Sequence, residues 1–260
     1  LSGFFSYVLE QRITFDATPI SLDGPATDWT PVQTDDTHDA NNDSQSANGE
    51  TDLVGNATHS LLYAKFDDKG TASESDDEIG FRLRIGATDS GGGFGGIAAV
   101  GTDVNADGTI DLFLAFDGRG TPTVNFFEPG PGSNDSPVTT SLQNATAAAG
   151  ADTDVSLVDA ATDPSATDTD LNGDGNTDAF VSFKVPFSDF QNQLNSASGL
   201  TVTKDSPLQF AAFTLTQENA IDGDIGGIDG GKAATETFTD LGIFSMIRVS
   251  CRRCGMLRPF

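Results

Sequence analysis

Cysteine is almost missing from this 260-residue chain: there are two, Cys251 and Cys254, both close to the C-terminus. A disulfide-stapled fold is therefore excluded, and so is a zinc finger, which needs clustered thiolate and imidazole ligands. Histidine is as scarce, with His38 and His59 alone. Both stand in or beside a polar stretch without a nucleophile-elbow sequence, and they read as solvated loop residues. No carboxylate pair stands out for acid–base chemistry either, so the chain reads as a non-enzyme. Basic residues number 13 against 39 acidic ones, a formal net charge of −26. That balance excludes nucleic acid as a partner, because phosphates would be repelled. No apolar run approaches the roughly 20 residues that cross a bilayer, so no transmembrane segment is expected. One tryptophan and two tyrosines stand against 19 phenylalanines. Phenylalanine fills cores, whereas tryptophan and tyrosine supply exposed platforms, so the aromatic set reads as interior.

What the chain has in quantity is aspartate. Of the acids 32 are Asp and seven Glu, beside 29 glycines, a turn-forming composition. The aspartates are patterned. Asp103-Val-Asn105-Ala-Asp107-Gly-Thr109-Ile-Asp111 and Asp170-Leu-Asn172-Gly-Asp174-Gly-Asn176-Thr-Asp178 are two copies of one sentence, D-x-N-x-D-G-x-x-D. Positions 1, 3 and 5 offer oxygen side chains, the glycine at 6 permits a sharp turn, position 7 offers a carbonyl and position 9 another carboxylate. Hard cations that take six to eight oxygens need this arrangement, and the motif reads as calcium (Ca2+) binding. The alternative is a pair of Asp/Asn/Gly turns that need no ion. A third candidate metal site is Asp222, Asp224 and Asp229, whose spacing departs from the motif. Asp76-Asp77-Glu78 beside Asp67-Asp68 reads as a solvated hairpin face, and Gly91–Gly96 as a flexible hairpin or a close-packed crossing.

Helical periodicity is nearly absent. Short apolar runs predict strands at Arg12–Phe15, Leu61–Phe66, Ile79–Ile85, Gly96–Thr102, Ile110–Asp117, Thr123–Phe127, Ala179–Val185, Leu208–Leu215 and Leu241–Val249. One or two helical turns are predicted within Ser188–Asn195. Residues 33–58 and 129–177 read as long polar loops. The expected class is all-β, a jelly-roll-like β-sandwich with long acidic calcium-binding loops, one domain over residues 12–248. An apolar N-terminal arm, 1–11, precedes it and a basic tail, 249–260, follows. The start at Leu1 reads as a processed form or a fragment, and Leu1–Leu9 as the edge of a secretion signal or a strand. In the tail, Cys251 and Cys254 either close a short disulfide or link subunits. Arg248, Arg252, Arg253 and Arg258 oppose an acidic body. With Phe4, Phe5, Tyr7 and Val8 of the arm they are candidate subunit contacts, through strand addition to a neighbouring copy.

Several segments in order resemble the family 9 carbohydrate-binding-module and DOMON-like group of extracellular β-sandwiches. They are Ile13-Thr-Phe-Asp16 with Asp23-Gly24 and Asp28-Trp29, Leu61-Leu-Tyr-Ala-Lys-Phe-Asp67, Ala179–Phe190, Leu208–Leu215 and Leu241-Gly-Ile-Phe244. The resemblance spans residues 12–248. It implies a jelly-roll-like sandwich, structural calcium and, if the site carries over, sugar binding through Trp29, Tyr63 or loop polar groups. The expected function is a secreted, prokaryotic, calcium-binding structural protein that self-assembles with copies of itself into an extracellular filament, sheath or cell-surface layer. The alternative is a carbohydrate-binding module for polysaccharide adhesion.

Overall fold

The fold was obtained as a computed structural model, which describes residues 11–14, 17–33, 43–44, 48–149, 153–228 and 235–250, without the side chains of 11–14 and 246–250. It is an all-β sandwich of two sheets. With strands numbered in chain order, the smaller sheet runs β2 (Thr30–Gln33), β3 (Leu62–Asp67), β4 (Glu78–Ile85), β10 (Ala179–Pro186), β9 (Asp154–Asp159), every pair antiparallel. The larger runs β1 (Gln11–Thr14), β13 (Ser245–Ser250), β11 (Pro207–Leu215), β5 (Ile97–Asp103), β6 (Leu112–Asp117), β7 (Thr123–Pro129), β8 (Leu142–Ala147), with β12 (Asp224–Ile225) also beside β11. Its pairs are antiparallel except β1 with β13.

The period-two pattern fills not one apolar layer but three. Between the sheets, Leu62, Ala64 and Phe66 of β3 and Phe81, Leu83 and Ile85 of β4 meet Leu112 and Leu114 of β6 and Phe210 of β11. Phe81 and Phe210 cross the gap edge to face at 4.9 Å. Helix α1 (Phe187–Ser198) adds Phe187, Phe190 and Leu194 to the same core. The alternate residues of the large sheet are buried too: Phe113, Ala115, Ala211 and Phe213 pack under Ile221, Ile225, Phe238 and Ile243. The outer face of the small sheet carries Tyr63, Arg82, Arg84 and Phe180, covered by Ile20, Leu22 and Trp29 from the segment before β2.

The predicted strands are present, with shifted ends. Leu241 belongs instead to a short helix, α2 (Phe238–Leu241), capped by the Thr237 side chain and ended by left-handed Gly242, so the last strand starts at Ser245. Helix α1 spans 12 residues, three turns instead of one or two, and stops at Gly199 with φ +72°. The two long polar stretches are not loops throughout. The first contains a 3-10 turn, Gly49–Thr51, then buried Asp52, Leu53 and Val54, with Leu53 bridging to Ile85. The second contains β8 and β9, whose residues are mostly exposed or half-buried and so show no apolar alternation. Edge strand β2 escapes detection for a related reason: Pro31 interrupts it, tolerated here at an edge and beside a shift in register.

Candidate functional site

The two aspartate-rich repeats fold alike. In loop one, Asp103 ends β5 and its Oδ2 accepts a hydrogen bond from Gly108 N at 2.8 Å. Asp111 Oδ2 accepts from Val104 N at 2.9 Å, Asn105 Oδ1 from Asp107 N at 3.0 Å, and Asp107 Oδ1 from Thr109 N at 2.9 Å. Loop two repeats all of these in register: Gly175 N to Asp170, Leu171 N to Asp178, Asp174 N to Asn172, Asn176 N to Asp174, at 2.7–3.2 Å. The sixth-position glycines have φ of +86° and +87°, a region costly for any other residue. The fourth positions, Ala106 at +59° and Gly173 at +68°, are left-handed as well. The sequence repeat is thus a repeat of backbone shape; among the described residues, three carboxylates come within 4.8 Å of one another at Asp43, Asp52 and Asp224 and not within either repeat.

The two loops differ in what surrounds them. Burial, with the charges of Asp103 and Asp107 beside it, raises the Asp111 carboxyl to about 6 although Val104 N opposes. Burial raises Asp178 likewise to about 6, opposed by Arg84. Arg84 is the ion-pair partner of Asp178, with Nη2 at 2.5 Å and Nε at 2.7 Å from Oδ2. In loop two, Asp178 Oδ1 and Asp170 Oδ1 are both buried and accept no hydrogen bond. A buried carboxylate oxygen without a donor is costly, and a hard cation satisfies it. On that test the donors of loop two fit calcium, with Asp170, Asn172, Asp174 and Asp178 as side-chain donors and the carbonyl of Asn176 completing the motif. In loop one the same positions are Asp103, Asn105, Asp107, Thr109 and Asp111.

Of the third candidate group, Asp224 turns inward and meets other partners. Its carboxylate lies with those of Asp43 and Asp52, ligand atoms within 4.8 Å of one another. Leu53 N and Ile225 N donate to Asp224 at 2.8 and 2.7 Å. Burial, then the charge of Asp43, holds Asp224 well above the usual carboxylate range. Asp222 is engaged elsewhere, accepting from Thr216 N at 2.7 Å and from the Thr216 hydroxyl. Asp229 lies outside the described residues. Asn172 of loop two reaches this cluster, donating from Nδ2 to Asp52 Oδ2 at 3.2 Å. Asp43 and Asp52 went unremarked in the sequence because they sit in a stretch without apolar period. The abrupt Asp52-Leu-Val54 step at its end was the available signal.

A cavity of about 360 Å³ opens beside loop two, lined among others by Trp29, His59, Tyr63, Arg84, Thr167 and Phe180. Its floor is the outer face of β3, β4 and β10. Two buried arginines stack there: Arg82 lies 4.7 Å from the Trp29 ring centre and Arg84 lies 5.5 Å from that of Phe180. Arg82 donates to Leu22 O and Ser182 Oγ, with Nη1 3.8 Å from Asp163 Oδ2. His59 is half-buried, not solvated, and its Nε2 lies 3.2 Å from Thr167 Oγ1. Burial and then Arg84 hold its pKa below the ordinary 6.5, with Asp168 opposing. The solvated hairpin face also needs correction: Asp76 is exposed, but Asp67, Asp77 and Glu78 are buried, with Lys69 paired to Asp67 and Glu78 and Lys184 to Glu78.

Phe4, Phe5, Tyr7, Val8, Cys251, Cys254, Arg252, Arg253, Arg258 and His38 lie outside the described residues, and Arg248 is described only as a backbone position in β13. No helix among the described residues is long and apolar enough to cross a membrane. No family model matches the chain, and neither a curated protein nor a solved structure matches it.

Proposed function

We propose that this chain is a calcium-binding structural β-sandwich, secreted from a prokaryotic cell and assembling with copies of itself outside it. The observation that carries the calcium reading is the paired loop geometry, four equivalent hydrogen bonds in each copy, together with the two buried oxygens of loop two that accept none. When bound, the cation supplies positive charge and coordination to carboxylates that each repeat places on one loop. The residues do the rest: Gly108 and Gly175 shape the turns, and Asp103 and Asp111 or Asp170 and Asp178 tie each loop's start to its end. Asp107→Ala and Asp174→Ala address exposed donors, so both variants should fold. At calcium near 100 times Kd each intact site adds about 2.7 kcal/mol. Each variant should lose one site in isothermal titration and a matching part of the calcium-dependent rise in Tm. Unchanged melting of the wild type under saturating calcium would reduce the loops to turns.

The cavity favours a second reading, saccharide binding. Trp29 and Tyr63, the aromatic residues on which a sugar-binding role depends, both line it. Its volume falls in the range of about 300–1,000 Å³ of small-ligand pockets. Glycan-array binding that is lost on filling the cavity with Thr167→Trp would support this reading, and an array without a hit would remove it.

A further inference from the structure

We propose that loop two and the cavity are one coupled unit, in which a cation held at Asp170 and Asp178 resets Arg84 in the cavity wall. The proposal rests on the calcium reading of loop two and goes beyond it to what that site controls.

Among the described residues, Arg84 is the only formally charged one lining the cavity. Its charge is balanced from the side of the loop, because Nε and Nη2 both bond Asp178 Oδ2. Asp178 is the ninth residue of the repeat, and its second oxygen accepts no hydrogen bond. One carboxylate therefore serves two cationic claims, a guanidinium on the cavity side and the loop's own metal position on the other. A divalent cation at that carboxylate weakens its hold on the guanidinium, since the same negative charge is then shared. Arg84 gains freedom to bond an oxygen acceptor in the cavity.

The wall is tied to the same element. Ser165 and Thr167 line the cavity on the segment that leads into loop two. Thr169 O accepts from Asp178 N at 2.8 Å, and Asp168 O accepts from Arg84 Nη2 at 2.7 Å. Thr167 is further bridged to His59 across the opening. Loop one has none of this. Among the described residues its Asp111 has no arginine partner, and Gly108 abuts Thr239 of α2 on the other sheet. Two loops with the same backbone shape thus have different neighbours, and loop one serves as an internal control.

Trp29, the single tryptophan of the chain, lines the cavity and stacks on Arg82, so its emission reports on this face of the small sheet. Calcium, with no other ligand, is the probe. Trp29 emission and its quenching by acrylamide are followed during titration of the wild type, Asp107→Ala and Asp174→Ala, with calcium stoichiometry measured in parallel. The expected result is a saturable Trp29 change in the wild type and in Asp107→Ala, and its loss in Asp174→Ala. Loop-two binding without any Trp29 change overturns the coupling while leaving the calcium reading intact. A Trp29 change that survives in Asp174→Ala overturns it too. Absence of calcium binding at loop two overturns both.

Discussion

Asp77 alone among the described carboxylates has both oxygens buried without a hydrogen bond, and the residue is 1% exposed. Burial, with Lys204 opposing and Asp76, Asp68 and Glu74 adding, raises its pKa from 3.8 to about 6. A raised carboxyl means that the folded chain holds its proton more tightly than the unfolded chain does. Folding is therefore penalised wherever the group must ionise: fully above about 6, less as the pH falls through that value, and not at all below the ordinary value. Asp77→Asn removes the penalty. The variant should melt above the wild type near pH 8, and the gap should close as the pH falls from about 6 toward about 4. A variant that melts lower near pH 8 would show that the ionised carboxylate is used, for instance by a cation. At this scale the repeats were legible, since a nine-residue spacing repeats oxygen positions whatever the surrounding fold. Arg82 and Arg84 were not. In an alternating strand a charged residue reads as solvent-facing, and nothing local announces that Trp29 and Leu22 close over it.

At the scale of elements, the central strands were legible because both of their faces are apolar. β5 and β11 read as near-continuous hydrophobic runs, and the large sheet proves to be covered on both sides. The peripheral strands were not legible, because β8 and β9 are fixed by backbone pairing with β7 and β10 while their side chains stay largely in water. The outer layer makes a prediction that a two-layer sandwich would not. Phe213 is fully buried, 5.8 Å from Phe113 and 5.7 Å from Phe238. Phe213→Ala should cost about 3–5 kcal/mol in urea unfolding, as much as Phe81→Ala in the inter-sheet core. A cost under about 1 kcal/mol would mean that the α2 segment is only loosely laid over the sheet.

At the scale of the whole molecule, two calcium ions carry four positive charges against a formal net charge of −26, so copies of this chain repel one another even when loaded. Apolar surface does not obviously offset that repulsion. Val138, at 56% exposure, is the one large hydrophobic side chain standing out among the described residues. The proposed self-assembly is therefore assigned to the chain ends, which β1 and β13 set in opposite directions. β1 and β13 pair in parallel, Gln11 opposite Ile247 and Thr14 opposite Ser250. Gln11 and Ser250, the first and last described residues, therefore lie at opposite ends of this pair. The proposed contact, made head to tail between the arm or tail of one copy and the sheet edge or acidic body of the next, would extend instead of closing. Negative-stain electron microscopy in millimolar calcium should then show filaments or sheets that dissolve on chelation. Sodium chloride of equal ionic strength should not substitute, because it screens charge over roughly 8–10 Å without occupying the loops. Deleting residues 1–10 or 251–260, which leaves β1 and β13 intact, should abolish the polymer and keep the Tm. Dispersed monomers in calcium, or normal polymers from both deletions, would refute the assembly and leave the cavity as the better guide to function.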